Sequence, residues 1–317
     1  MLNSFFDMKK TCLFLFLILT IFTSCDNSHK KGKRVKIDTS IGYNLSAPDR
    51  VYVLPEVLQE ISGITEIDSS TIACIQDERE IVFMYDLNSS QIIRRIDCGY
   101  KGDYEGIARV DSTLYILRSD GVLSKIKNFE SDKFVRSAFT SGIPWKDDEG
   151  ICYDPQNNNL LITSKETPRK GSGDRDKRFI YGFSLASEKP IQEPVFTIDL
   201  SAIDSFALEN NIRVPMKDKK KGKKKEPDIR FLVSDMAIHP KTGKLFLLSS
   251  ADKLLFVFNM KNQIEFIGRL NPDLFKQPEG ITFMKNGDMY ISNEGKKKSA
   301  TLVRFNYRPV TVESLNN

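Results

Sequence analysis

Three short segments of this 317-residue chain join a glutamate to glycine and isoleucine: Glu105-Gly106-Ile107, Glu149-Gly150-Ile151 and Glu279-Gly280-Ile281. Two looser copies read Glu60-Ile61-Ser62-Gly63-Ile64 and Ser234-Asp235-Met236-Ala237-Ile238. If Glu60, Glu105, Glu149, Asp235 and Glu279 converge, their charges repel unless a cation neutralises them or some take up protons. Calcium suits such a set, because it accepts about six to eight oxygen ligands in loose geometry. The competing expectation is that these acids bond backbone amides and merely fix the strands that they open. Asp103 and Asp148 add negative charge beside two of the glutamates.

Convergence depends on the elements that carry the acids. The five acids recur at intervals of 45, 44, 86 and 44 residues. A period of about 40–50 residues is that of a four-stranded propeller blade. Between the acids lie short runs rich in β-branched and aromatic residues, separated by turn signals such as His239-Pro240-Lys241-Thr242-Gly243 and Lys285-Asn286-Gly287-Asp288. The pattern predicts an all-β, five-bladed β-propeller. The long interval is assigned to an insertion, 201–228, that is helix-like and then lysine-rich, rather than to a sixth blade. A smaller insertion is expected over Thr167–Arg178.

The last repeat supplies three strands, and one unassigned strand, Arg50–Leu54, precedes the first motif. That N-terminal strand is expected to close the last blade, which protects the sheet edges. Because the inner strand of each blade borders the channel, the five acids are expected around one mouth. A second set, Glu78, Asp120, Glu166, Asp252 and Glu294, falls after second strands and is expected on the same face. Within it, Glu166 and Glu294 are the ligand candidates, since both follow a Ser-x pair. The alternative for this set is polar loop acids. Trp145 and Asp148 are candidates for the wall of a ligand pocket, with packing as the other role for Trp145. His239 stands first in an x-Pro turn; a turn-stabilising role is expected there, with general base as the alternative.

Several function classes are excluded. The formal net charge of +5 comes from one segment, Lys217–Glu226, which holds seven lysines and two acids. Such a run is expected to be a solvated, disordered loop. A nucleic-acid role does not follow, for no aromatic residues are interleaved with the lysines. There is no Gly-x-Ser-x-Gly elbow and no phosphate-cradling glycine loop. With only His29 and His239 after the leader, a zinc site is not expected. Cys74, Cys98 and Cys152 show no paired spacing and sit in apolar strand patterns, so they are expected to be buried and unpaired.

The Glu-Gly-Ile segments, the strand endings Ser164-Lys165-Glu166, Ser249-Ser250-Ala251-Asp252 and Ser292-Asn293-Glu294, and the stretch from Ala237 to Phe246 together resemble the SdiA-regulated proteins of bacteria. A more distant likeness is to NHL-type, paraoxonase-like and phytase-like propellers. The resemblance covers residues 47–307. It implies a five-bladed propeller, export or surface attachment, and a calcium ion in a shared pocket.

The head of the chain carries its own signal. Lys9 and Lys10 precede an apolar run, Cys12 to Phe22, too short to span a bilayer and suited to the core of a signal peptide. It ends in Phe22-Thr23-Ser24-Cys25, which resembles a bacterial lipobox and implies cleavage before Cys25 with diacylglycerol on its sulfur. The expected organisation is a lipoprotein signal peptide over 1–24 and a flexible tether over 25–47. A propeller over 48–309 and a tail over 310–317 follow. The mature protein is then expected in the cell envelope, anchored to the outer membrane and monomeric. Two functions fit these features. One is binding or scaffolding of a small-molecule or envelope ligand; the other is calcium-dependent hydrolysis of an ester, lactone or phosphoester.

Overall fold

The computed structural model describes residues 41–144, 147–165, 173–219, 223–296 and 298–309. Among the proposed functional residues, Cys25, Trp145 and Glu166 lie outside the described residues, as do the leader and the tail.

Five antiparallel sheets form five blades. Blade one comprises Ile61–Glu66, Thr71–Gln76, Arg79–Asp86 and Gln91–Lys101, from the channel outwards. Blade two follows with Tyr104–Val110, Thr113–Arg118, Val122–Lys127 and Val135–Thr140. In blade three, Asp148–Asp154, Asn159–Ser164 and Lys177–Ser184 are flanked by two short outer pieces, Lys189–Pro190 and Phe196–Asp199. Blade four is Asp235–Ile238, Leu245–Ser249, Leu254–Phe258 and Ile264–Arg269. Blade five has Pro278–Phe283, Met289–Asn293 and Thr301–Phe305, and its outer strand is Arg50–Val53. Val51 pairs with Val303 and Tyr52 with Leu302, so the first and last described strands share one sheet and the ring is closed as expected.

Burial explains why these segments are strands. Second strands such as Thr71–Gln76 and Leu245–Ser249 are covered on both faces and read as unbroken apolar runs. Outer strands such as Gln91–Lys101 alternate because one face meets solvent. The core is divided among the five blade interfaces. Tyr52, Tyr290 and Leu302 of blade five, for example, pack on Phe83 and Tyr85 of blade one. Cys74 and Cys152 are buried, Cys98 is half-buried, and all three are free thiols.

Two boundaries differ from expectation. The tether expected over 25–47 is not loose at its end: Ile41, Tyr43 and Leu45 are buried in the interface of blades four and five. The Tyr43 hydroxyl donates to Gly287 O at 2.5 Å, and its ring meets those of Phe283 and Tyr307. An aromatic side chain with a buried hydrogen bond overrides the polar character of the residues around it. The first part of the insertion is helical, as expected, whereas its lysine run is paired rather than a disordered loop. Helix α1 (Leu200–Glu209) is capped by Asp199, whose carboxylate accepts from Ser201 N at 2.8 Å. Its Ile203 and Ala207 are buried against blades three and four. The lysine run then forms a hairpin, Met216–Lys219 with Lys223–Pro227. Its like charges are offset across the strands, Lys217 facing Glu226 and Asp228, and Lys225 facing Asp218.

Candidate functional site: the acidic mouth of the channel

Strand register decides which residues share a ring. Ile64, Ile107, Ile151, Met236 and Ile281 pair with equivalent positions of their second strands: Cys74, Ile116, Ile162, Leu247 and Ile291. Counting back from these five, the preceding residues are Gly63, Gly106, Gly150, Asp235 and Gly280. One position earlier stand Ser62, Glu105, Glu149, Ser234 and Glu279. The glutamate ring therefore has three acids and two serines rather than five acids.

Asp235 and Glu60 depart from the expected positions. Asp235 occupies the glycine place, and Glu60, four residues before Ile64, matches Asp103 and is exposed. At the glycine place neighbouring inner strands nearly touch: a Cβ on Gly63 would lie 3.0 Å from Gly106 Cα, and one on Gly150 would lie 2.9 Å from Asp235 Cα. Asp235 instead extends a fully buried carboxylate to the next blade, where Oδ2 accepts from Ile281 N at 2.8 Å. Burial pushes its pKa well above the usual carboxylate range. Asp235 thus fulfils the blade-fixing expectation. Ser234 and Ser62 do likewise, donating to Pro278 O and Tyr104 O of adjacent blades.

The three glutamates face a common space. Burial and the neighbouring Glu105 raise the Glu149 carboxyl to about 8, while Lys165 pulls it the other way. Burial and Asp103 raise Glu105 to about 7. Burial also raises Glu279, which Ser250 Oγ meets at 3.4 Å. Lys165, at the end of blade three's second strand, places Nζ 2.6 Å from Glu149 Oε1. Burial works against the charge of Lys165, but Glu149, Glu105 and Glu279 outweigh it and hold its pKa up. One ammonium therefore sits among three carboxylates, and it was not among the residues expected to act here. No apolar periodicity marks it; only its place after Ser164 and before Glu166 could have drawn notice.

The second acidic set divides. Glu294 is half-buried at this mouth, accepts from Gln277 Nε2, and is raised by burial. Glu78 is exposed, and with Glu60 it adds to burial in raising Asp77 to about 6. Asp120 is held by Arg118 in a two-point contact of 2.8 and 2.7 Å. Asp252 is buried and accepts from Phe231 N, Arg230 N and Ser249 Oγ, which fixes a loop. Asp148 is fully buried beside the Gly121 turn of blade two.

The donor set is one that a calcium ion would accept. Glu105, Glu149 and Glu279 supply hard oxygens of the kind calcium takes, and burial first, with neighbouring acids second, raises the carboxyl groups of Glu105 and Glu149. Among the described residues, no three His, Cys, Asp or Glu side chains are already gathered tightly enough to hold one ion.

The opposite mouth is built differently. A cavity of about 630 Å³ opens there, floored by Ile64, Ile107, Ile151, Met236 and Ile281. Its rim includes Glu66 and Arg109, 3.7 Å apart. His239 lies in its wall, fully buried, with Nδ1 accepting from Lys241 N and Thr242 N at 3.1 Å. Burial lowers its pKa to about 4, so the imidazole is neutral and serves the turn, as expected. Asp154 does the same in blade three, accepting from Gln156 N.

A closed ring of five blades, with glutamates opening three inner strands, defines a β-propeller with an acidic channel mouth. The chain belongs to the SdiA-regulated family, whose model matches residues 43–297. No curated protein matches the chain. Among solved structures it is similar in fold to Myxococcus xanthus glutaminyl cyclase, at 12% identity and a TM-score of 0.53, covering 84% of this chain and 97% of that one. It is also similar to the PQQ-bound aldose sugar dehydrogenase of Streptomyces coelicolor, at 12% identity and a TM-score of 0.50, covering 82% and 99%. At such identities the likeness is one of fold, and propellers host unrelated activities.

Proposed function

We propose that this SdiA-regulated propeller is a binding protein of the cell envelope, anchored through lipid on Cys25, that takes calcium at its acidic mouth. The observation that carries the reading is the arrangement at that mouth: Glu105, Glu149 and Glu279 share one space, and among the described residues Lys165 is the one cation in ion-pair contact with any of them. Burial, with acidic neighbours as the second cause, raises Glu105 to about 7 and Glu149 to about 8, and a divalent cation would favour their charged forms. The cavity at the other mouth has the volume of small-ligand pockets, about 300–1,000 Å³, and offers room for the organic partner of a binding protein.

Titration calorimetry of the purified protein with calcium tests the ion, with saturable one-site heat expected and none in excess chelator. Membrane fractionation of Cys25→Ala tests the anchor: the variant is expected in the soluble fraction, and its retention on membranes would remove the lipid from the account.

A hydrolase reading keeps one specific support. Carboxyl groups at about 7 and about 8 lie in the range suited to general acid–base work. Against it, the propeller's histidine is buried at the opposite mouth with its Nδ1 engaged. An ester, lactone and phosphoester screen, run with calcium and with chelator, separates the two: turnover lost on chelation would favour the hydrolase.

A further inference from the structure

The carboxylates of the acidic mouth already meet a cation that belongs to the chain. Lys165 Nζ lies within hydrogen-bond distance of Glu149, at 2.6 Å, and Glu105 and Glu279 act on the same ammonium. Its position is fixed from the backbone: Lys165 N donates to Asp147 O at 2.9 Å, which ties the end of one strand to the start of the strand that carries Glu149. Other lysines nearby are engaged elsewhere. Lys253 feels Glu279 but donates to Ser250 O at 2.6 Å, and Lys296 faces Glu294. Among the described residues, no other cation lies at this distance from the three glutamates.

An ion drawn to Glu149 must therefore contend with a positive charge in contact with the same oxygen. Two like charges a few ångströms apart repel strongly wherever water does not fully screen them. We infer that Lys165 sets the affinity and selectivity of the acidic mouth: its ammonium is the resident counter-ion, and a divalent cation reaches Glu149 only by displacing it. This inference rests on the calcium reading above for its second half; the counter-ion half stands on the described geometry alone. The displacement has a chemical consequence. A monovalent ion exchanges one unit charge for another and gains nothing, whereas a divalent ion leaves the mouth better neutralised than Lys165 does. The Lys165 side chain is 41% exposed, so its displaced ammonium can enter solvent without a buried charge being stranded.

The test uses the full-length protein and two readouts. In excess chelator, melting is measured for wild type, Lys165→Met, Glu149→Gln and the double variant, with Lys165→Arg as the charge-keeping control. Lys165→Met is expected to melt lower by about 2–5 °C, a shift in scale with one lost interaction in a domain of this size. Lys165→Arg should not, and Glu149→Gln in the Lys165→Met background should restore part of the loss. Calorimetry then compares calcium binding, with Lys165→Met expected to bind about tenfold or more tightly than wild type after allowance for solvent screening. A Lys165→Met protein that melts with wild type and binds calcium no more tightly overturns the inference. If calcium binds to neither protein, the calcium reading fails, and the chelator cycle alone decides whether Lys165 is the counter-ion.

Discussion

Asp235 Oδ2 accepts a hydrogen bond from Ile281 N at 2.8 Å, joining blade four to blade five at the place where the other four blades carry glycine. Where glycine stands, neighbouring inner strands meet backbone to backbone, as at Gly63 and Gly106. At this one interface a carboxyl group is interposed and fully buried. The ring thus contains one polar spacer among four close contacts, and the spacer is an acid that burial keeps protonated far above its usual range.

Replacing Asp235 separates shape from hydrogen bonding. Asp235→Asn keeps an oxygen acceptor and is expected to cost less than about 1 kcal/mol. Asp235→Leu keeps the bulk but leaves Ile281 N without an acceptor, which is expected to cost about 1–3 kcal/mol. Urea midpoints at unchanged m-value read the difference.

Tyr43 tests the corrected boundary of the propeller. Tyr43→Ala removes a buried ring and a hydrogen bond to Gly287, and is expected to cost about 3–5 kcal/mol. Excising the lysine hairpin, Lys217–Glu226, should by contrast leave the urea midpoint nearly unchanged, since shortening a loop alters closure entropy only weakly. An equal loss in both would show that the hairpin is packed as firmly as Tyr43.

Glu105 and Glu149 predict how stability without calcium depends on pH. Their folded-state values, about 7 and about 8, lie above those of an unfolded chain. Between about pH 4.5 and 8 the folded protein therefore holds protons that the unfolded chain has released, and stability falls as pH rises through that window. Melting in chelator should be higher at pH 5 than at pH 8. Glu149→Gln should flatten the slope.

Much of this architecture was legible in the chain. Second strands such as Thr71–Gln76, Thr113–Arg118 and Asn159–Ser164 stand out as short apolar runs between turn residues, because both of their faces are buried. The Arg50–Val53 closure followed from a missing strand. Register was less legible. Aligning the repeats on their acids places Glu60 and Asp235 in the ring, whereas the fold aligns them on the isoleucines and Met236, which pair across strands. Charge tolerates a shift of one or two residues at a strand start; a side chain on a doubly buried strand does not. Lys165 was not legible, since a lysine at a strand end looks like any solvated lysine until the fold brings three glutamates around it. The hairpin of Met216–Lys219 and Lys223–Pro227 was hidden by its composition, which suits a loop until opposite charges are set across the strands.

The measurement that bears most directly on the central claim is melting of wild type and of the Glu149→Gln, Glu279→Gln double variant across a calcium titration. Binding to the folded state alone raises stability by mass action, by about 2.7 kcal/mol at a hundredfold excess over Kd. The account predicts a rise in wild-type melting temperature that saturates with calcium and reverses with chelator. The double variant, folded but short of two charges, should give little or no rise. Wild type indifferent to calcium, beside a double variant more stable than wild type without any metal, would contradict the account. The acids would then only repel one another, with Lys165 easing that repulsion.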